Sequence, residues 1–222
     1  MSSGVIFENL PKQKQIQRQI HPTFLQEFKE YAWYFLRVFL IVVLVYIFVR
    51  TSIFDVIGIS GKSMFPSYDD RDAIYIDQFS PNFSDYKRGD VVVLLSPKKI
   101  DNKRDLYIKR IIGLPGESVI IKGGQVFIKN SDYPEGVELD EKNYLKPEEK
   151  TFKRVVSGTE EFEEPLLGKD EYFVLGDNRK GSTDSRIFGK VIKADITGKE
   201  FYRILPPEKS GFFKGPTYNI GD

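Results

Sequence analysis

The chain has no cysteine, which at once excludes disulfides, thiolate metal sites and a cysteine nucleophile. It has a single histidine, His21, and that residue precedes the longest apolar run of the sequence. A serine nucleophile downstream of residue 50 would therefore lack the usual imidazole partner and would need a lysine or a carboxylate as its base. Excess charge is missing as well. With 33 Lys and Arg against 32 Asp and Glu, the chain carries no basic field of the kind that follows a phosphate backbone, which argues against a nucleic-acid partner. No internal repeat is visible. At 222 residues the chain has room for one domain with a substantial core, or for a core with an insertion, but not for an assembly of domains.

What is present begins with the apolar run. From Ala32 to Val49 the only charge is Arg37, and eighteen helical residues cover about 27 Å, enough to cross a bilayer core. No helical offset between Val38 and Val49 carries a polar face, so a half-buried core helix fits less well. Arg37 can reach the near interface beside Trp33, Tyr34 and Phe35. Roughly thirty mostly polar residues precede the run and Arg50-Thr51-Ser52 follows it, which speaks against a cleaved leader. Lys12, Lys14, Arg18, Lys29 and Arg37 outnumber Arg50 and Lys62 on the far side, so the N-terminus is expected in the cytoplasm. The expected organisation is an N-terminal arm over 1–30 with a helix start near His21-Pro22, a membrane helix over 31–50, and an exported domain over 51–222.

After residue 50 the pattern changes to period-two alternation with Gly and Pro punctuation, the mark of a mainly β domain. Strands are expected at 53–59, 73–79, 91–95, 106–112, 118–122, 125–129, 172–175 and 190–196. Gly123-Gly124 marks the clearest hairpin. The charged, Pro-punctuated stretch from 130 to 170 reads as an inserted flap or subdomain, and the tail after Pro206-Pro207 shows no periodicity.

Three segments carry the candidate chemistry. Ser60-Gly61-Lys62-Ser63-Met64-Phe65-Pro66 follows a predicted strand, where Gly61 permits a tight turn that leaves the Ser63 hydroxyl and N–H facing outward. A Gly-x-Ser alone is more often a plain loop. Tyr107-Ile108-Lys109-Arg110-Ile111-Ile112 places a lysine in an otherwise apolar strand, which reads equally well as an edge-strand charge that discourages aggregation. Gly176-Asp177-Asn178-Arg179-Lys180-Gly181-Ser182-Thr183-Asp184-Ser185-Arg186 is dense in charges and hydroxyls, and its bland reading is a loop stapled by Asp and Arg.

Together with Phe48-Val49-Arg50-Thr51 and Arg88-Gly89-Asp90-Val91-Val92, these segments resemble, in the family's order, the boxes of the bacterial type I signal peptidases, membrane-bound serine proteases that remove leader peptides. The resemblance implies the signal-peptidase/LexA-like β domain behind one N-terminal transmembrane helix, with no metal and no cofactor. It implies Ser63 as nucleophile, Lys109 as general base and Ser182 as the hydroxyl that orients the base. The Ser63 and Gly61 backbone would form the oxyanion site, since many members carry a serine where this chain has Gly61. Ile57, Ile59 and Ile108 would line shallow pockets for small side chains, and Arg110, Asp177, Asp184 and Arg186 would brace the site.

A lysine base must be neutral. That requires a pKa depressed from about 10.4 toward 7 or 8, at a cost of roughly 4 kcal/mol met by a dry, apolar site around Ile108, Ile111 and Met64. The implied partners are preproteins with small residues before the cleavage site, the lipid bilayer and the secretion translocon. Other readings are a catalytically silent, membrane-tethered β scaffold, a pilin- or conjugation-specific peptidase of the same family, and the self-cleaving Ser/Lys repressors. The repressors carry a DNA-binding module where this chain has its apolar run.

Overall fold

A computed structural model of the chain describes residues 24–52, 54–100, 103–152 and 161–220. The predicted arm and its His21-Pro22 helix start lie outside the described residues. The chain divides into two units, Met1–Phe48 and Val49–Asp222. In the first, helix α1 (Phe24–Ser52) contains the stretch Gln26–Phe48, the one helix among the described residues that is long and apolar enough to cross a bilayer. From Phe28 to Phe48 its described Phe, Leu, Ile and Val side chains, Val43 apart, are exposed rather than packed. Arg37 stacks over the Trp33 ring at 5.1 Å, so the one cation of the apolar run lies against an aromatic side chain of its own helix.

The second unit is mainly β. Its large antiparallel sheet runs in the order β1 (Phe54–Gly58), β2 (Ala73–Asp77), β11 (Ile196–Leu205), β3 (Val91–Ile100), β4 (Lys103–Gly113), β9 (Glu171–Leu175) and β10 (Val191–Ile192), with β12 (Gly211–Phe212) paired to β11. A smaller sheet follows the order β7 (Val137–Glu138), β6 (Gln125–Lys129), β5 (Ser118–Lys122) and β8 (Phe162–Glu164). A single helical turn, α2 (Ser185–Phe188), follows β9, with Asp184 as its N-cap.

The central strands are covered on both faces, which explains their nearly continuous apolar runs. In β3, Val91 and Val93 join one cluster with Met64, Ile74 and Ile76, whereas Val92 and Leu94 join another with Ile111, Tyr172 and Val174. A third cluster links Ile112, Phe173 and Leu175 to Val119, Ile121, Val126 and Ile128 of the small sheet, so the two sheets share core. The stretch from 130 to 170 contributes β7 and β8 to that small sheet and places Leu139 and Leu167 in the same cluster, which makes it partly core rather than a detached flap.

Two expectations need correction. The strand predicted over 190–196 is the two-residue β10 followed by a 3-10 turn (Lys193–Asp195), and the unpredicted β11 then pairs with both β2 and β3 in the middle of the sheet. The inward positions of β11 are Ile196, Gly198 and Glu200, and a glycine and a carboxylate erase the apolar alternation that reveals a strand. Glu200 is tolerated inside because the buried Tyr68 hydroxyl donates a hydrogen bond to it. The tail beyond Pro207 is also ordered: β12 turns back on β11, and Ile220 enters the core of the small sheet.

Candidate active site

The Ser63 turn leaves β1 through Ile59, whose N–H bonds to Asp72 O at 2.7 Å and whose carbonyl accepts from Arg71 N at 2.9 Å. Gly61 then adopts φ of +93°, a conformation costly for any residue with a Cβ. Its N–H donates to Asp70 Oδ1 at 2.8 Å. Gly61 therefore shapes the turn and, contrary to expectation, offers no free donor to an oxyanion. The Ser63 N–H, by contrast, has no acceptor among the described residues.

Lys109 arrives from the middle of β4, paired with Val92 of β3. Its Nζ lies 2.9 Å from Ser63 Oγ, donates to Ile108 O at 2.7 Å, and sits 5.3 Å from the centre of the Tyr107 ring. The residue is 3% exposed and makes no ion pair within salt-bridge distance among the described residues. Burial pulls the lysine down from 10.5 to about 8, against the opposing pull of Asp184 and Asp177. An amine in that range is neutral in about one molecule in ten at pH 7 and can accept a proton.

The expected pocket residues come together at the same place. Ile57, Ile59 and Ile108 line a cleft of about 270 Å³ that also contains Ser63 and Lys109. Val93 and Leu106 complete its apolar wall. Neither could be singled out in the sequence, because apolar residues of a strand look alike until the register shows which of them line the cleft.

The charged loop after β9 braces the site through buried, bidentate pairs. Arg110 holds Asp177 with contacts of 2.9 and 2.6 Å and also donates to Gly89 O, and Arg186 holds Asp184 at 2.8 and 2.7 Å. Asp184 in turn accepts from Gly176 N at 3.0 Å. Gly176 has no room for a side chain, since a Cβ there would lie 2.2 Å from Ser182 Oγ and 2.4 Å from the Ser63 carbonyl oxygen. Ser182 is thus placed beside the Ser63 turn. Its hydroxyl is fully buried and has no hydrogen-bond partner among the described residues, while the Lys109 amine donates to the Ile108 carbonyl.

Sequence reasoning passed over two members of this loop. Arg179, fully buried, ties it to the 130–170 stretch through Glu141 at 2.7 and 2.5 Å and through Thr151. Nothing in the sequence marks Glu141 as its partner, 38 residues away. Asn178 bonds both Lys62 and Ser63: its Nδ2 donates to Lys62 O at 3.0 Å and its N–H to Ser63 O at 3.1 Å.

The family model described as signal peptidase, peptidase S26, matches residues 32–205. The chain belongs to the signal peptidase family. It is 32% identical to signal peptidase I P of Bacillus subtilis subsp. natto over 176 residues, 78% of this chain and 89% of that protein. It is 33% identical to probable signal peptidase I-2 of Synechocystis over 165 residues, 73% of this chain and 68% of the other. A crystal structure of a signal peptidase I from Enterococcus faecalis superposes with a TM-score of 0.39 at 28% identity, covering 52% of this chain and 97% of that one. Membership makes the chain a hydrolase and a serine endopeptidase of signal-peptide processing, in a family associated with membranes.

Proposed function

We propose that this protein cleaves signal peptides from exported preproteins with Ser63 as nucleophile and Lys109 as the only base, while α1 anchors it in the cytoplasmic membrane with the β unit on the outer side. The observation that carries this reading is the 2.9 Å approach of a buried, carboxylate-free lysine to a serine hydroxyl in a chain whose one histidine lies outside the β unit. Neutral Lys109 takes the hydroxyl proton as Ser63 Oγ bonds to the scissile carbonyl carbon. The carbonyl electrons move onto oxygen, which faces the unpartnered Ser63 N–H. Collapse breaks the C–N bond, and Lys109 returns its proton to the departing amine, leaving an acyl-enzyme on Ser63. Lys109 then deprotonates a water that releases the new carboxyl end and restores the serine.

The shallow cleft walled by Ile57, Ile59 and Ile108 supports a preference for small side chains before the cleaved bond, since about 270 Å³ leaves little space beyond the substrate backbone. Ser182, buried and unpartnered beside the Ser63 carbonyl, is the hydroxyl available to orient the amine once substrate displaces water. The exposed apolar surface of α1 supports the membrane anchor. The positive charges that precede it support the orientation, in which the site would lie on the side where preproteins emerge from the translocon.

The decisive test incubates the full-length protein in detergent with a preprotein whose leader ends in Ala-x-Ala, and compares it with Ser63→Ala. Loss of cleavage in the variant is expected, and cleavage at the parental rate would sink the assignment. For topology, the absence of native cysteine makes Ser131→Cys and Ser3→Cys clean probes. In intact cells with a permeable outer envelope, a membrane-impermeant maleimide should label only the former, and the reverse pattern would put Ser63 out of reach of exported substrates.

A further inference from the structure

The peptide group between Lys62 and Ser63 has two ends with different tasks. Its N–H belongs to Ser63 and has no acceptor within the described residues, whereas its carbonyl, on Lys62, accepts from Asn178 Nδ2 at 3.0 Å and from Phe65 N at 3.2 Å. An amide whose oxygen is held from behind is fixed in direction, and a hydrogen bond to that oxygen polarises the group and strengthens the opposite N–H as a donor. We infer that Asn178 is a positioning residue for the oxyanion site, one that aims and polarises the Ser63 N–H through the Lys62 carbonyl.

The orientation of the Asn178 amide is settled by its other contacts. Gly181 N donates to Asn178 Oδ1 at 2.9 Å, so the oxygen must face Gly181 and the NH2 must face Lys62 O. The Asn178 backbone N–H meanwhile holds the Ser63 carbonyl at 3.1 Å, so one residue grips the carbonyls on both sides of the Ser63 Cα. Gly181 makes this possible, because a Cβ there would lie 2.6 Å from Asn178 Nδ2 and would push the amide aside. The demand on this N–H is high in this chain. Gly61 supplies no side-chain hydroxyl, and its own N–H is committed to Asp70.

This inference rests on the reading of Ser63 as the nucleophile, and its test separates the two. Full-length Asn178→Ala and Asn178→Asp are compared with the parent for kcat and KM on a preprotein, each at the plateau of its own pH profile. The Asp variant keeps the shape and the acceptor for Gly181 but loses the donor. Both are expected to lose about tenfold in kcat, less than the hundredfold or more that follows removal of an oxyanion donor outright, with KM within about twofold. A peptide aldehyde, which adds Ser63 Oγ to give a hemiacetal with its oxygen in the oxyanion site, should bind about tenfold more weakly. The matching peptide alcohol, which forms no such adduct, should bind as before.

Gly181→Ala, which displaces the amide while keeping Asn178, should reproduce the loss, and the double variant should add nothing further. It also supplies the test should the Asn178 variants fail to fold. Parental kcat and aldehyde affinity in Asn178→Asp or Gly181→Ala, beside an inactive Ser63→Ala, would overturn the inference alone. An equal loss for aldehyde and alcohol, or an acidic limb moved in Asn178→Ala, would overturn it too by assigning Asn178 a general structural role. An active Ser63→Ala would instead remove the reading beneath it.

Discussion

Lys109 and Arg110 are neighbours in β4, both cationic and both 3% exposed, yet the two faces of the strand treat them in opposite ways. Arg110 is clasped by the Asp177 carboxylate, with Gly89 O and the Tyr144 ring at 4.3 Å around it, and these contacts push its pKa up despite burial. Among the described residues Lys109 has only a carbonyl, a hydroxyl and an aromatic face, and burial pulls its pKa down to about 8. The same depth of burial therefore yields a fixed positive strut on one face and a titratable amine on the other. What differs is the distance to a carboxylate. A pair at 2.6 Å compensates a buried charge, whereas Asp177 and Asp184 act on Lys109 only from beyond ion-pair reach.

The sharpest way to break this comparison is to remove the amine. Lys109→Met, close in shape, should abolish preprotein cleavage while the β unit stays folded, and cleavage near the parental rate would show that the proton is taken by another group. Before mutation, the rate itself should report the amine. Activity should fall about tenfold per pH unit below about pH 8 as Lys109 is protonated, and a profile flat through that region would argue against a lysine base.

Arg110→Met should do damage of another kind. It strands the buried Asp177 carboxylate, and loss of one partner of such a pair costs about 3–5 kcal/mol, readable as a drop in the denaturation midpoint. An unchanged midpoint would place Asp177 in contact with water.

Stability should move the other way for the lysine. Folding with a pKa of about 8 in place of 10.5 releases the amine's proton, so stability rises with pH between those values and carries a penalty of about 3 kcal/mol at pH 7. Lys109→Met should therefore be more stable than the parent at pH 7, by up to that amount, and should lose this pH dependence. A less stable variant would mean that the packed stem outweighs the buried charge.

A partial change in rate is expected of Ser182→Ala. A buried hydroxyl without a partner costs the fold about 1–3 kcal/mol, so its removal should leave stability equal or higher. If the hydroxyl orients the amine in the reacting state, the rate should still fall about tenfold to a hundredfold. A parental rate would assign Ser182 to the loop alone.

Much of this site was legible in one dimension because its parts are local. The Ser63 turn needs Gly61 beside it, the lysine interrupts an apolar strand, and the loop after β9 packs its acidic and basic residues within eleven positions. The long apolar run of α1 is equally local, since crossing a bilayer is a matter of length and composition. The hidden parts depended on distant segments. β11 was missed because Gly198 and Glu200 face inward, a choice that makes sense only with the Tyr68 hydroxyl against the carboxylate. Arg179 finds Glu141, and Asn178 finds Lys62, across gaps of 38 and 116 residues that no spacing rule spans.

By itself, the sequence determined the absence of thiols, a β unit without histidine, the apolar helix and the three boxes with their family. Tertiary structure decided the rest: that the amine meets the hydroxyl at 2.9 Å, that it does so buried and without a carboxylate in ion-pair reach among the described residues, and that the Gly61 N–H is spent on Asp70. The division has a physical cause. Backbone conformation and transfer into lipid are set by neighbouring residues, whereas desolvation and hydrogen-bond assignment depend on what the rest of the chain places around an atom, and those terms determine whether a lysine can act as a base.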